Sequence, residues 1–201
     1  MTGYCPWVVT PSRYDDELWE LVPEDRGPPP EHEKRFVQAL GRAGAALDLG
    51  CGDGRLSVAL EADALTLADV SQVALSRAHA RLPEARTVAL TPDEPLPLGD
   101  GEFDLVLCAE MLEHVRDVQL LLSEVRRVLK PGGRLAITTP AHGRRTGLRI
   151  LARGFEPEFN PLLPHLRFFT KKSLTQLLDE MGFGVLSLRR ESGSLLVVAE
   201  R

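Results

Sequence analysis

Cysteine is scarce in this 201-residue chain. Cys5, Cys51 and Cys108 are widely spaced and odd in number, which argues against a disulfide framework or a CxxC zinc site and for a reducing compartment. No apolar run approaches the ~20 residues of a membrane helix. The start lacks the basic and apolar regions of a signal peptide, so the expectation is a cytoplasmic protein without a membrane span. Neither an internal repeat nor a low-complexity segment is visible. Aromatic residues make up 5% and the formal net charge is −5. The molecule as a whole is not built to attract nucleic acid, and it has neither a separate RNA-binding module nor a basic-aromatic platform. What remains is 43% hydrophobic and 26% charged, an ordinary globular composition at a length that suits one domain with a sizeable core.

The apolar residues that are present fall into continuous short runs at 45–49, 64–68, 86–90, 103–108 and 134–138, separated by helical patterns. Val118, Leu121, Leu122, Val125, Val128 and Leu129 form the clearest helical stripe, stopped by Pro131-Gly132-Gly133. Strands whose apolar residues are continuous rather than alternating, interleaved with helices, indicate an α/β fold with a parallel sheet. The end of the chain departs from this rhythm. Thr170 can cap a helix carrying Leu174, Leu177, Leu178 and Met181 before Gly182, and two strands, 183–188 and 195–199, then follow across Glu191-Ser192-Gly193. That connection is too short for a parallel crossover and predicts an antiparallel hairpin.

The richest stretch is A-A-L-D-L-G-C-G-D-G-R-L, residues 45–56. It reads as a buried strand, a glycine-rich turn at Gly50, Gly52 and Gly54, and a helix behind the turn whose N-terminus offers free N–H groups. The pattern D-x-G-x-G-x-G is not the G-x-G-x-x-G of a dinucleotide fingerprint. Asp48 and Asp53 beside the turn are poor neighbours for a diphosphate and good ones for a cationic amino-acid moiety.

Two segments lie outside the alternating pattern. Residues 1–30, ending at Pro28-Pro29-Pro30, read as an N-terminal cover in which Tyr14, Leu18, Trp19, Leu21 and Val22 form a short helix, ahead of a domain over 31–201. Residues 140–169 read as a substrate-side insertion, because structureless links of that length are uncommon. It carries Arg144, Arg145, Arg149, Arg153 and Arg167, followed by Lys171 and Lys172, against Glu156 and Glu158. Phe155, Phe159, Leu162 and Leu163 offer apolar walls. A local basic segment on an acidic protein points to an anionic acceptor.

L-D-L-G-C-G-D-G (47–54), L-A-D-V-S (67–71), L-P-L-G-D-G-E-F-D-L-V (96–106), R-V-L-K-P-G-G-R-L (127–135) and the final hairpin appear in that order. The ordered set closely resembles the class I S-adenosylmethionine (SAM)-dependent methyltransferases over residues 35–201. The resemblance implies a Rossmann-like seven-stranded sheet, six strands parallel and the last antiparallel, with helices on both faces. It implies that Asp48, Gly50, Cys51 and Gly52 surround the methionine part of SAM, that Asp69 accepts hydrogen bonds from the ribose hydroxyls, and that Val70 flanks adenine. Asp93 follows the third strand a residue or two later than the adenine-contacting acid of many relatives; the backbone of Leu90 and Thr91 is the alternative.

Residues 108–115, C-A-E-M-L-E-H-V, hold the acceptor-side candidates. On a helix Glu110, Glu113 and His114 would share one face. The segment resembles the ubiquinone-biosynthesis O-methyltransferases, which implies a small-molecule acceptor methylated at oxygen, with Glu110, His114 and His142 as catalytic candidates and Glu110 also lining the SAM pocket. E-x-x-E-H is similar as well to small-RNA 2′-O-methyltransferases, in which it binds a divalent metal. That likeness implies Mg²⁺ or Mn²⁺ at Glu110, Glu113 and His114, with His142 as the fourth ligand and ribose or tRNA as acceptor. His165, in H-L-R-F-F-T, either orients substrate or caps its loop. A SAM-binding protein without catalysis is the third reading. A monomer and a homodimer are both compatible with the sequence.

Overall fold

A computed structural model describes residues 11–155 and 165–201. The chain runs α1 (Pro11–Leu21), α2 (Glu31–Gln38), β1 (Ala43–Leu49), β2 (Ala62–Asp69), α3 (Gln72–Arg81), β3 (Arg86–Ala89), β4 (Phe103–Ala109), α4 (Val118–Val128), β5 (Leu129–Pro140), α5 (Arg144–Arg153), α6 (Lys171–Glu180), β6 (Gly184–Glu191) and β7 (Ser194–Glu200). The sheet has seven strands in the order β3-β2-β1-β4-β5-β7-β6. The described residues fall into two compact units, divided after Pro97.

In the first unit β1 pairs parallel with β2, and β2 with β3. Leu47, Leu49, Leu67 and Ala68 are fully buried, which is what a strand covered on both faces requires and why apolar residues dominate these runs. Ser71 caps α3, its hydroxyl accepting from the Ala74 N–H at 3.2 Å.

The expected helix behind the glycine turn does not form. Residues 50–61 carry only a single 3-10 turn, Ser57–Ala59, before β2 begins. A parallel crossover needs about a dozen residues. Once four or five of these are committed to the glycine turn, too few are left for stable α-helical turns. No α-helix start therefore stands behind the turn.

In the second unit β4 pairs parallel with β5, whereas β7 runs antiparallel to both β5 and β6. The terminal hairpin is thus as the short connection requires. Thr170 caps α6 by accepting from the Ser173 N–H at 3.1 Å. The Pro131-Gly132-Gly133 stop is not a loop: β5 starts at Leu129, opposite Phe103, and the register resumes at Arg134 opposite Leu105. Gly132 has φ +75°, and a Cβ on Gly133 would lie 2.8 Å from the Lys130 carbonyl oxygen, so this bulge needs its glycines. The insertion is partly helical, as α5. Its Glu156, Glu158, Phe159, Leu162 and Leu163 lie outside the described residues.

Candidate functional site

The glycine turn is pinned to the end of β2. The N–H groups of Gly50 and Cys51 both donate to the Ala68 carbonyl, at 2.8 and 3.1 Å. Gly52 N–H donates to Asp69 Oδ2 at 2.9 Å, and Ser71 N–H to Asp69 Oδ1 at 2.9 Å. Gly50, Gly52 and Gly54 all have positive φ, at 75°, 54° and 73°, a region closed to most side chains. Gly54 also lets α3 approach, since a Cβ there would stand 3.2 Å from Ala78.

Two buried carboxylates face this turn. Asp48, 2% exposed, accepts from the Ser57 hydroxyl at 2.6 Å. Burial pushes its pKa up to about 7, the Ser57 bond opposes the rise, and the charge of Asp69 adds to it. Asp69 is raised as well, by burial first, against the backbone N–H groups of Ser71, Gly52 and Val70. Each oxygen of Asp69 takes one of the two N–H bonds at 2.9 Å and keeps acceptor capacity for a second donor. Burial, followed by the charges of Asp48 and Asp69, drives the Cys51 thiol far up, so it is a neutral packing group and not a nucleophile.

Asp53 does not join them. Its carboxylate lies 3.6 Å from the Arg81 guanidinium and accepts from the Arg55 N–H at 3.3 Å, while its carbonyl takes the Arg81 Nε–H at 3.1 Å. The sequence grouped it with Asp48; the structure uses it to fasten the turn to α3. Val70 sits in the bend after β2, and Asp93 in the turn after β3 with φ +59°, which aspartate tolerates. The Leu90 N–H is committed to the Asp69 carbonyl at 2.9 Å.

In the second unit, residues 110–114 do not make an α-helical face. Glu110 bends the chain out of β4 with φ +49°, its N–H donating to the Thr138 carbonyl at 2.9 Å, and only Leu112–His114 form a 3-10 turn. The geometry gathers Glu113, His114 and His165, whose ligand-type atoms lie within 4.8 Å of one another. Glu110 and His142 are not in that group. The ring of His142 instead packs edge-on against Phe168 at 4.9 Å, and the backbone N–H of His142 donates to the Phe169 carbonyl.

Glu113 is the anchor of the turn. It is 1% exposed; Thr139 donates to its Oε2 at 3.0 Å, and its Oε1 lies 3.7 Å from His114 Nε2. Its carbonyl accepts the N–H groups of Leu166 and Arg167, at 2.8 and 3.1 Å. This brings the end of the insertion to His114 and sets the His165 ring edge-on to the His114 ring, 4.9 Å between centroids. The Arg167 guanidinium donates to the Arg116 carbonyl, so this member of the basic segment serves the backbone. Of the segment's described arginine side chains, Arg144, Arg149 and Arg153, on α5, are exposed.

A methyltransferase-domain family matches residues 47–137. An uncharacterized methyltransferase of Synechocystis is 40% identical over 182 residues, covering 84% of this chain and 82% of its own. The chain belongs to the class I SAM-dependent methyltransferases. A ubiquinone biosynthesis O-methyltransferase of Methylococcus capsulatus is 41% identical over 116 residues, 52% of this chain, and the chain spans only 48% of that enzyme. Among solved structures, a putative methyltransferase from Bacillus halodurans shares the fold with a TM-score of 0.70 at 18% identity, covering 85% of this chain and 99% of that one.

The residues of this methyltransferase fit its cofactor. A turn of bare backbone and two buried carboxylates suit a cationic amino acid and a vicinal diol; they would repel a diphosphate. Ser57, Asp16, Trp19 and Thr139 were not singled out by sequence as site residues. Ser57 and Thr139 are apparent only once folding sets them against Asp48 and Glu113. Trp19 stood in the expected cover helix, but nothing in sequence says what it covers. Among the described residues, no helix is long and apolar enough to cross a membrane.

Proposed function

We propose that this methyltransferase modifies a hydroxyl of an anionic small molecule. On this reading Asp48 meets the ammonium end of SAM, Gly50, Cys51 and Gly52 give it bare backbone, Asp69 receives the ribose diol, and Val70, with Asp93 or the Leu90–Thr91 backbone, borders adenine. When bound, SAM supplies an activated methyl electrophile, so the chain's own contribution is largely positioning and proton removal.

The observation that carries the oxygen assignment is the pair of buried Glu113 and partly exposed His114, 3.7 Å apart. A carboxylate fixed by Thr139 lies beside the imidazole and holds it in place to take the hydroxyl proton. His114 is the base, Glu113 its positioning residue, and the arginines of α5 attract the acceptor's negative charge. The name of the Methylococcus relative, a ubiquinone biosynthesis O-methyltransferase, supports an oxygen acceptor. The test is S-adenosylhomocysteine formation on fractionated metabolite extracts. Acidic phenol or alcohol fractions should sustain it, and His114→Gln should stop it with SAM affinity retained. Tight SAM binding without turnover on metabolite or RNA pools would overturn the reading in favour of a non-catalytic binder.

A second reading is favoured by the Glu113–His114–His165 group. One carboxylate and two imidazoles are a suitable donor set for Mn²⁺ or a related divalent ion, which would acidify a bound hydroxyl, including a ribose 2′-hydroxyl. His165 then takes the place that sequence gave to Glu110 and His142. Calorimetry with Mn²⁺ on wild type and His165→Ala tests it independently of activity. Absence of binding to wild type, or equal binding to both, sinks it.

A further inference from the structure

We propose that Trp19 is a donor-binding residue, the wall that α1 lays over the glycine turn; the inference rests on the reading of that turn as the SAM site.

The cover helix is not held by an apolar face. Tyr14, Leu18 and Leu21 are 51%, 38% and 82% exposed, so its large aliphatic and phenolic side chains mostly face solvent. Trp19 is the exception. It is half-buried, and a Cβ on Gly52 would stand 2.9 Å from its Cζ2 and Cη2. The benzo edge of the indole therefore rests on glycine backbone, at the one position of the turn whose N–H is bonded to Asp69.

The other contacts of α1 lead to the same place. Asp16, one helical turn before Trp19 and on the same side of α1, accepts from the Ser71 hydroxyl at 2.6 Å and the Val73 N–H at 3.2 Å. Ser71 in turn donates its own N–H to Asp69. The connections close a ring: Asp16 to Ser71, Ser71 to Asp69, Asp69 to Gly52, Gly52 to Trp19, and Trp19 back to Asp16 along one helical turn. A cover that needed only to protect the sheet would have no reason to be tied at both ends to the ribose acid and its partner.

Chain segments after α1 are fastened more lightly. Arg77 donates to the Val22 carbonyl at 2.8 Å and Arg55 to the Arg26 carbonyl at 3.4 Å. The Arg26 guanidinium lies over the Trp19 ring, 5.5 Å from its centroid. The ring is thus already a surface for a cation, and SAM carries two positive groups, an ammonium and a sulfonium. An indole over the turn also keeps water from Asp48 and Asp69, which strengthens their attraction for that charge.

The chain has two tryptophans, so a Trp7→Phe background leaves Trp19 as the only indole reporter. Titration with SAM should change its emission, saturating at the affinity measured by calorimetry. In the same background Trp19→Ala should weaken SAM binding by about 3- to 30-fold, with Trp19→Phe between the two. Thermal melts and circular dichroism identify variants that do not fold; should Trp19→Ala be one, Trp19→Phe carries the comparison. Unchanged affinity overturns the proposal, and so does tighter binding, which would mean that the ring occupies the donor's own space. If wild type does not bind SAM, or Asp69→Ala binds it as well as wild type, the donor-site reading itself has failed and the proposal falls with it.

Discussion

Asp48→Asn should make the protein without SAM more stable at pH 8 and leave it almost unchanged near pH 4. The carboxyl is buried behind the glycine turn, and its pKa is raised to about 7. In the unfolded chain it would titrate near 3.9. Between those values the folded state holds a proton that the unfolded state has released, so stability falls as pH rises through this window and levels off above it. Each pH unit is worth about 1.4 kcal/mol, and about three units give on the order of 4 kcal/mol. Asparagine has nearly the same shape, cannot ionise, and keeps an oxygen for the Ser57 hydroxyl at Asp48's 2.6 Å position. Urea unfolding at pH 4.5, 6 and 8 measures the difference between the two proteins. It should grow steadily with pH in favour of asparagine. Parallel curves across the window would refute the burial argument, because they would mean that Asp48 titrates normally in the folded state. A bound cation offsets the same penalty, so SAM affinity of the wild type should rise from pH 6 to 8, while that of Asp48→Asn should stay flat.

Asp69→Ala should weaken SAM binding by about 1.5–3 kcal/mol through lost charged hydrogen bonds; calorimetry showing equal affinity would remove its ribose role. Thr139→Val deletes the hydroxyl that donates to buried Glu113 and should cost about 1–3 kcal/mol of stability, read by urea unfolding. It should lower kcat far more than it alters SAM affinity, if Glu113 works by orienting His114; unchanged kcat would count against that role.

The central strands could be read from sequence because they are buried on both faces. Leu47, Leu67, Leu105 and Ile137 are all fully buried, so apolar residues dominate these runs and the few polar ones, such as Asp48, stand out. The capping of α6 by Thr170 and the final hairpin followed from purely local chemistry. What could not be read depends on contacts distant in sequence. Residues 110–114 have helical spacing, yet Glu110 leaves β4 in a left-handed conformation and the Glu113 side chain is drawn to Thr139, so the spacing never becomes a helical face. His165 reaches His114 because the Glu113 carbonyl holds the two residues after it, a backbone contact that no side-chain pattern announces. Asp53 looked like a ligand-side acid because its partner, Arg81, stands at the far end of α3.

The missing helix between β1 and β2 bears on how the chain folds. Ala43 pairs with Ala62 and Leu49 with Ala68 across a crossover of about a dozen residues, so the entropy of closing this loop is small for a parallel pairing. Most parallel pairings wait on a helix to pack before they are rewarded. Here the strands and the turn between them form one local motif, held by main-chain bonds from Gly50 and Cys51 to Ala68. The glycine turn therefore belongs to the parallel pair with the least chain to close, and it can be in place before the long-range pairing of β5 with β7 is complete.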